Sequence, residues 1–159
     1  MRCWQGLFLP GGAVDPEDLL DWTTGGKLER LAKHIGTIDY EAVWNDPYVH
    51  ERLLDLMGVD ELAHLKENLQ VRGTIDLEGS NLVLEGGKPH KANLENGIMV
   101  VDLYNGKVHA GIFSNGHTTA YTKEPGYWRF PRSLKIFVHW EKLSLIWSHL
   151  PEQDFKWVR

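Results

Sequence analysis

Two groups of residues in this sequence have the types and spacing to do chemistry. The first is Asp102 and His109, which a hairpin turning at Asn105-Gly106 would set opposite each other on neighbouring strands. An acid beside an imidazole can orient a general base. No serine, cysteine or threonine is placed as its nucleophile, although Thr122 would lie across from His109. The pair therefore reads more readily as a cross-strand contact, worth a few tenths of a kcal/mol up to about one. The second group is Lys88, Pro89, His90 and Lys91, within a connection from Gly86 to Gly97 between two strand-like stretches. That connection exceeds the usual length of a hairpin turn, and long loops on a rigid sheet are disproportionately functional. Pro89 stiffens its middle and biases Lys88 toward an extended backbone, which lowers the entropy lost if the segment enters a cleft. A projecting Lys-Pro-His-Lys suits a negatively charged pocket; the bland alternative is a surface loop with solvated charges.

Other chemistries find less support. There are eight histidines, but His34, His50 and His64 fall on separate helical segments. Neither H-x-x-x-H nor H-E-x-x-H spacing occurs, so they read as surface or capping residues rather than metal ligands. The glycines at Gly86-Gly87-Lys88 lack the first glycine and the Ser/Thr of a phosphate-binding loop, and Thr23 to Lys27 fails likewise. No cofactor and no metal are expected, and the chain does not read as an enzyme.

Composition narrows the partners. The chain has 159 residues, 42% of them hydrophobic and 25% charged, which suits one soluble domain with one core. A formal charge of -5 and a pI near 5.9 argue against a nucleic-acid surface, which needs clustered Lys and Arg to displace phosphate counterions. No apolar run approaches the 18 or so residues of a membrane span, so no membrane partner is expected. Cys3 is the one cysteine and can form no intramolecular disulfide. As numbered, the chain reads as cytoplasmic, or as periplasmic if a signal sequence has been removed.

The elements that must position these residues follow from periodicity. Asp15-Pro16 and Asp46-Pro47 each set an N-cap acceptor before a proline suited to the first helical position. After Asp46, Val49, Leu53 and Leu56 recur at helical spacing, with Gly58 as a stop. Asp60 then caps a further run carrying Leu62, Leu65 and Leu69. A shorter helix over Lys27 to Ile35 ends at Gly36. From Val71 the period changes to two, and Gly79-Ser80, Asn105-Gly106 and Asn115-Gly116 read as two-residue hairpin turns. Such turns fix a register: Leu103 with Val108, Asp102 with His109, Met99 with Ile112, and Ile112 with Thr119. Met99, Val101, Leu103, Val108, Ala110, Ile112 and Tyr121 then share the buried face. Ile98, Val100, Asp102, Tyr104, Lys107, His109, Gly111, Phe113 and Thr122 share a face suited to partial cover or a partner.

The stretch 131–150 fits both periods, and its length, its start after Pro131 with Ser133 as a cap, and Pro151 at its end favour a helix. It carries one stripe through Ile136 and Trp140 and another through Leu134 and Val138. The second stripe is expected to pack on the N-terminal helices; the competing use is a homodimer interface. The expectation is a single α+β domain over residues 1–159. Helices fill 15–70, a five-stranded antiparallel meander fills 71–122, and a helix covers about 131–150.

Lys88-Pro89-His90, a hairpin beginning near Ile98 and Gly111-Ile112-Phe113-Ser114 together resemble the inhibitor of vertebrate lysozyme family. The resemblance covers Gly86 to Ser114. It implies an α+β protein that pushes the histidine of a K-P-H loop into the lysozyme cleft against two catalytic carboxylates. His90 would be that plug, with Lys88 and Pro89 its supports. The family brackets the loop with two cysteines, where Gly87 and Ala92 stand here; an unstapled loop is expected to be freer and to lose more entropy on binding. The function expected is thus inhibition of a lysozyme-like glycan hydrolase through the loop, with Lys88, Pro89, His90 and Lys91 as contacts. Affinity should fall as pH rises through the bound histidine's pKa. The alternative is an immunity protein that neutralises a different toxin through Asp102, Tyr104, Lys107 and His109 on the exposed sheet face.

Overall fold

The computed structural model describes residues 26–138 and the backbone of a short strand at Lys156–Trp157. The Asp15-Pro16 helix start and the second half of the 131–150 stretch lie outside the described residues. The chain from Glu29 to His34 winds as a 3-10 helix rather than the α-helix expected, and turns out of it at Gly36, whose φ is 80°. Helix α1 (Tyr40–Trp44) is capped by Asp39, whose carboxylate accepts from the Ala42 N–H at 3.1 Å. Helix α2 (Pro47–Glu67) begins as expected: Asp46 accepts from the Tyr48 and Val49 N–H groups, with Pro47 in the first turn. Gly58, with φ 77° and ψ 173°, breaks α2 into two segments, in keeping with its reading as a stop. The same Asp46 carboxylate holds Arg30 through two bonds of 2.8 and 2.9 Å, fastening the 3-10 turn to the start of α2.

Strands β1 (Val71–Arg72), β2 (Asp76–Glu78), β3 (Asn81–Gly87), β4 (Glu95–Asp102), β5 (Val108–Ser114), β6 (His117–Thr122) and β7 (Lys156–Trp157) form one open sheet. From β3 to β6 it is the antiparallel meander expected, and β7 adds a short parallel edge to β6. The single strand expected over Val71 to Glu78 is broken, because both halves pair with β3 while the chain between them bows away. Tyr40 fills the gap: its hydroxyl donates to the Glu85 carbonyl at 2.8 Å and accepts from the Glu85 N–H at 3.1 Å. One buried phenol thus replaces the missing ladder bonds.

The β5–β6 register is as expected, with Ile112 facing Thr119. The β4–β5 register is not. Val101 faces Val108, Val100 faces His109 and Met99 faces Ala110, a slip of two residues from the pairing of Leu103 with Val108. The reason lies in where Leu103 spends its hydrogen bonds. Its N–H donates to Ser80 and its carbonyl accepts from Leu28, so the turn opens at Asp102 rather than Tyr104. An even slip leaves every side chain on its expected face. Met99, Val101, Leu103, Val108, Ala110, Ile112 and Tyr121 accordingly join Leu53, Leu65 and Tyr40 in the main core under α1 and α2.

The opposite face is also covered: of the two uses expected for it, cover or a partner, the structure shows cover, which corrects the expectation of an exposed sheet face. Val83, Ile98, Val100 and Ala120 pack with Phe130, Leu134 and Val138 in a second core. The last two come from α3, which begins at residue 132 and is described as far as 138. Helix α3 therefore lies across the sheet from α2 rather than against it. Gly111 admits it: a Cβ there would stand 3.0 Å from the Phe137 ring. The stripe through Leu134 and Val138 is the buried one, whereas Ile136 is half exposed. Ser133 is buried within the first turn and is not the cap.

Candidate functional site: the loop between β3 and β4

The connection that carries Lys88, Pro89, His90 and Lys91 is shorter than the sequence suggested. Gly86 pairs with Gly97 and Gly87 with Asn96, so the strands run on and the loop proper is 88–94. Within it, the Lys91 N–H donates to the Lys88 carbonyl at 3.0 Å, closing a four-residue turn with Pro89 second and His90 third. His90 has φ 61°. Proline second and a positive φ third are the requirements of a type II turn, a place usually taken by glycine or asparagine. A histidine there is held in a sparsely populated conformation, and such residues cluster at functional sites.

His90 and Lys91 are exposed, and among the described residues the His90 ring has no hydrogen-bond partner. Lys88 is drawn back toward the domain, its ammonium 3.3 Å from the Glu67 carboxylate at the end of α2. The loop then turns again, with the Leu94 and Glu95 N–H groups both donating to the Lys91 carbonyl at 2.8 Å. Ala92 folds back over the neck, where a Cβ on Gly87 would come within 2.6 Å of its own. The unstapled loop is thus closed by its own backbone hydrogen bonds.

Sequence reasoning missed what stands beneath the loop. The Glu95 carboxylate is buried and accepts from His64 Nε2 at 2.9 Å, Asn68 Nδ2 at 3.0 Å and Ser114 Oγ at 2.7 Å. Burial opposes its ionisation, but the bonds from His64, Ser114 and Asn68 outweigh that and hold its carboxyl below the usual value. The signal available was spacing: His64 and Asn68 stand four apart on one helical face. Only the true register brings Ser114 opposite Glu95.

The second candidate group is dispersed. Asp102 and His109 do not face each other. Asp102 instead caps its turn, accepting from the Tyr104 and Asn105 N–H groups at 2.9 and 3.1 Å and from Ser80 Oγ at 3.1 Å. Tyr104 is exposed in that turn, and Lys107 pairs with Glu124 at 2.7 Å. His109 is buried, its Nδ1 2.8 Å from Thr122 Oγ1. Burial takes its pKa down to about 4; the carboxylates of Glu124 and Asp102 pull it up and the Lys107 ammonium pushes it down. A neutral, enclosed imidazole without an acid partner in contact is neither a prepared general base nor part of an exposed sheet face. Among the described residues no cluster of three or more His, Cys, Asp or Glu could hold a metal, and no helix is long and apolar enough to cross a membrane.

The described residues thus form an α+β fold whose sheet is covered on both faces, with the turn bearing His90 exposed at one end. Residues 48–142, more than half of the chain, match the family model for the inhibitor of vertebrate lysozyme (Ivy), and the chain belongs to that family. Membership implies a lysozyme inhibitor with a protein partner. No curated protein and no solved structure matches the chain.

Proposed function

We propose that this protein inhibits a lysozyme by inserting the tip of the 88–94 loop into the active-site cleft, with His90 meeting the carboxylates there. The observation that carries this reading is the conformation of His90: an exposed ring at the third position of a closed turn, on a backbone with φ 61°. Lys88, Pro89 and Lys91 are its supports, Pro89 by fixing the approach of the chain and the lysines by adding positive charge. An imidazolium set between two carboxylates gains charge-assisted hydrogen bonds in a desolvated site, so inhibition weakens as the ring loses its proton. A loop already closed by its own hydrogen bonds loses little further entropy on entry.

The test is lysis of a bacterial cell-wall suspension by a vertebrate lysozyme, titrated with the protein and with His90→Ala. Loss of a hydrogen-bonded charge at the centre of an interface costs about 2–5 kcal/mol. Inhibition should therefore weaken by a factor of roughly thirty or more, with an unchanged Tm. Equal inhibition by the variant would rule the plug out.

A further inference from the structure

The neck of the loop is closed by a single residue acting in two directions. The Glu95 backbone turns outward: its N–H donates to Lys91 at 2.8 Å and its carbonyl accepts from Lys88 at 3.0 Å, so both ends of the 88–91 turn are tied to it. Its side chain turns inward, to His64 on α2, Asn68 at that helix's C-cap and Ser114 on β5. Asn68 also donates to the Asn96 carbonyl at 3.1 Å, one residue along β4. From the β5–β6 turn, the Asn115 N–H reaches the Leu94 carbonyl at 3.0 Å. The base of the loop is therefore fastened to the helix beneath it and to the neighbouring strand beside it.

An arrangement serving the core alone would not need a carboxylate here. Apolar side chains of similar size replace a buried charge at little cost in stability. What a buried, three-coordinate carboxylate supplies is direction, because rotating Glu95 away would strand its charge and its three donors together. Since the backbone of the same residue holds the turn, the cost of that rotation is also the cost of opening the loop. We propose that Glu95 is the positioning residue of the loop, its carboxylate held by His64, Asn68 and Ser114 so that the turn bearing His90 is formed before a partner arrives. The proposal rests on the reading of that loop as the inhibitory element.

The experiment uses the full chain carrying Glu95→Gln, with amide exchange at Leu94 and Glu95 and inhibition of a vertebrate lysozyme as parallel readouts. Exchange at those amides should rise about tenfold or more, inhibition should weaken by a comparable factor, and protection in the core of β4 should stay unchanged. A second variant adds Gly87→Cys and Ala92→Cys. The Cβ positions of that pair stand 2.6 Å apart, short of the roughly 3.5–4.5 Å of a disulfide. Ala92 lies on the exposed loop and can move outward to reach it. The oxidised crosslink closes the same neck by another route, and it should restore both protection and inhibition to the Glu95→Gln chain.

Unchanged exchange in Glu95→Gln overturns the proposal. A formed crosslink that restores neither readout also overturns it, since Glu95 would then serve the fold rather than the loop. The inhibitory reading fails separately. If His90→Ala inhibits fully while Glu95→Gln still frees the loop amides and the crosslink protects them again, Glu95 positions the loop and the loop is not the plug.

Discussion

His109 makes the stability of this fold depend on pH between 6.5 and about 4. Its ring is buried, with Nδ1 2.8 Å from Thr122 Oγ1, and burial takes its pKa from an ordinary 6.5 to about 4. The sign follows from proton counting. Below 6.5 the unfolded chain binds a proton at this position that the folded chain refuses, so stability present above that value is lost as pH falls toward 4. One pKa unit corresponds to about 1.4 kcal/mol. Applying the linkage relation to 6.5 and about 4, the loss is about 2 kcal/mol by pH 5 and roughly 3 by pH 4. Against a total of about 5–15 kcal/mol for a domain, that is a large share. Glu41, Asp46 and Glu95, whose carboxyls are held below their usual values, add their own losses only at lower pH. The assay is urea unfolding of the parent and His109→Asn at several values between pH 7 and 5. The variant should start lower, because it leaves a void, yet lose about 2 kcal/mol less than the parent on acidification. Parallel curves for the two proteins would refute the linkage.

Two further substitutions test how the sheet is framed. Gly111→Ala would set a methyl 2.9 Å from Ile98 Cγ2 and 3.0 Å from the Phe137 ring, and overpacking of this kind costs about 1–3 kcal/mol. Its Tm should fall and amides of α3 should lose protection, whereas a Tm equal to the parent's would mean that α3 sits less tightly than described. Tyr40→Phe removes the hydroxyl that satisfies both backbone groups of Glu85 and should cost about 1–3 kcal/mol, read as a lower urea midpoint with an unchanged slope. An unaltered midpoint would indicate that water replaces the phenol.

Most of the fold was legible in local signals. Asp46-Pro47, Gly58 and Asn115-Gly116 each act through the backbone of a few neighbouring residues, and each sits where its chemistry requires. The features that escaped are those decided at a distance. The β4–β5 register slipped because Leu103 bonds to Ser80 and Leu28, neither of which its neighbours reveal. The second sheet face seemed suited to a partner because it mixes Ile98 and Val100 with Asp102 and His109; its cover, Phe130 with α3, comes from a segment whose period was ambiguous. The loop was legible as Lys88-Pro89-His90-Lys91 since length and charge mark it out. Its fastening was not, because Glu95 is joined to residues at positions 64, 68 and 114 that only the folded chain brings together.

The cover on both faces bears on how such a domain can meet a partner at all. With α2 on one side and Phe130 and α3 on the other, the described sheet offers its connections rather than a flat surface. At one end the Asn105 turn is drawn inward by Asp102 and by the backbone of Lys27 and Leu28. At the other end the 88–94 loop and the Asn115 turn stand side by side, joined through Leu94. The only two residues other than glycine with a positive φ among those described, His90 and Asn115, are both at this end. A narrow tip of this kind fits a concave partner better than a flat one, since a cleft can surround the turn while the sheet behind it holds the turn straight. For the proposed insertion, the charge at the tip comes from exposed Lys91 beside His90, since Lys88 is drawn back to the Glu67 carboxylate 3.3 Å away.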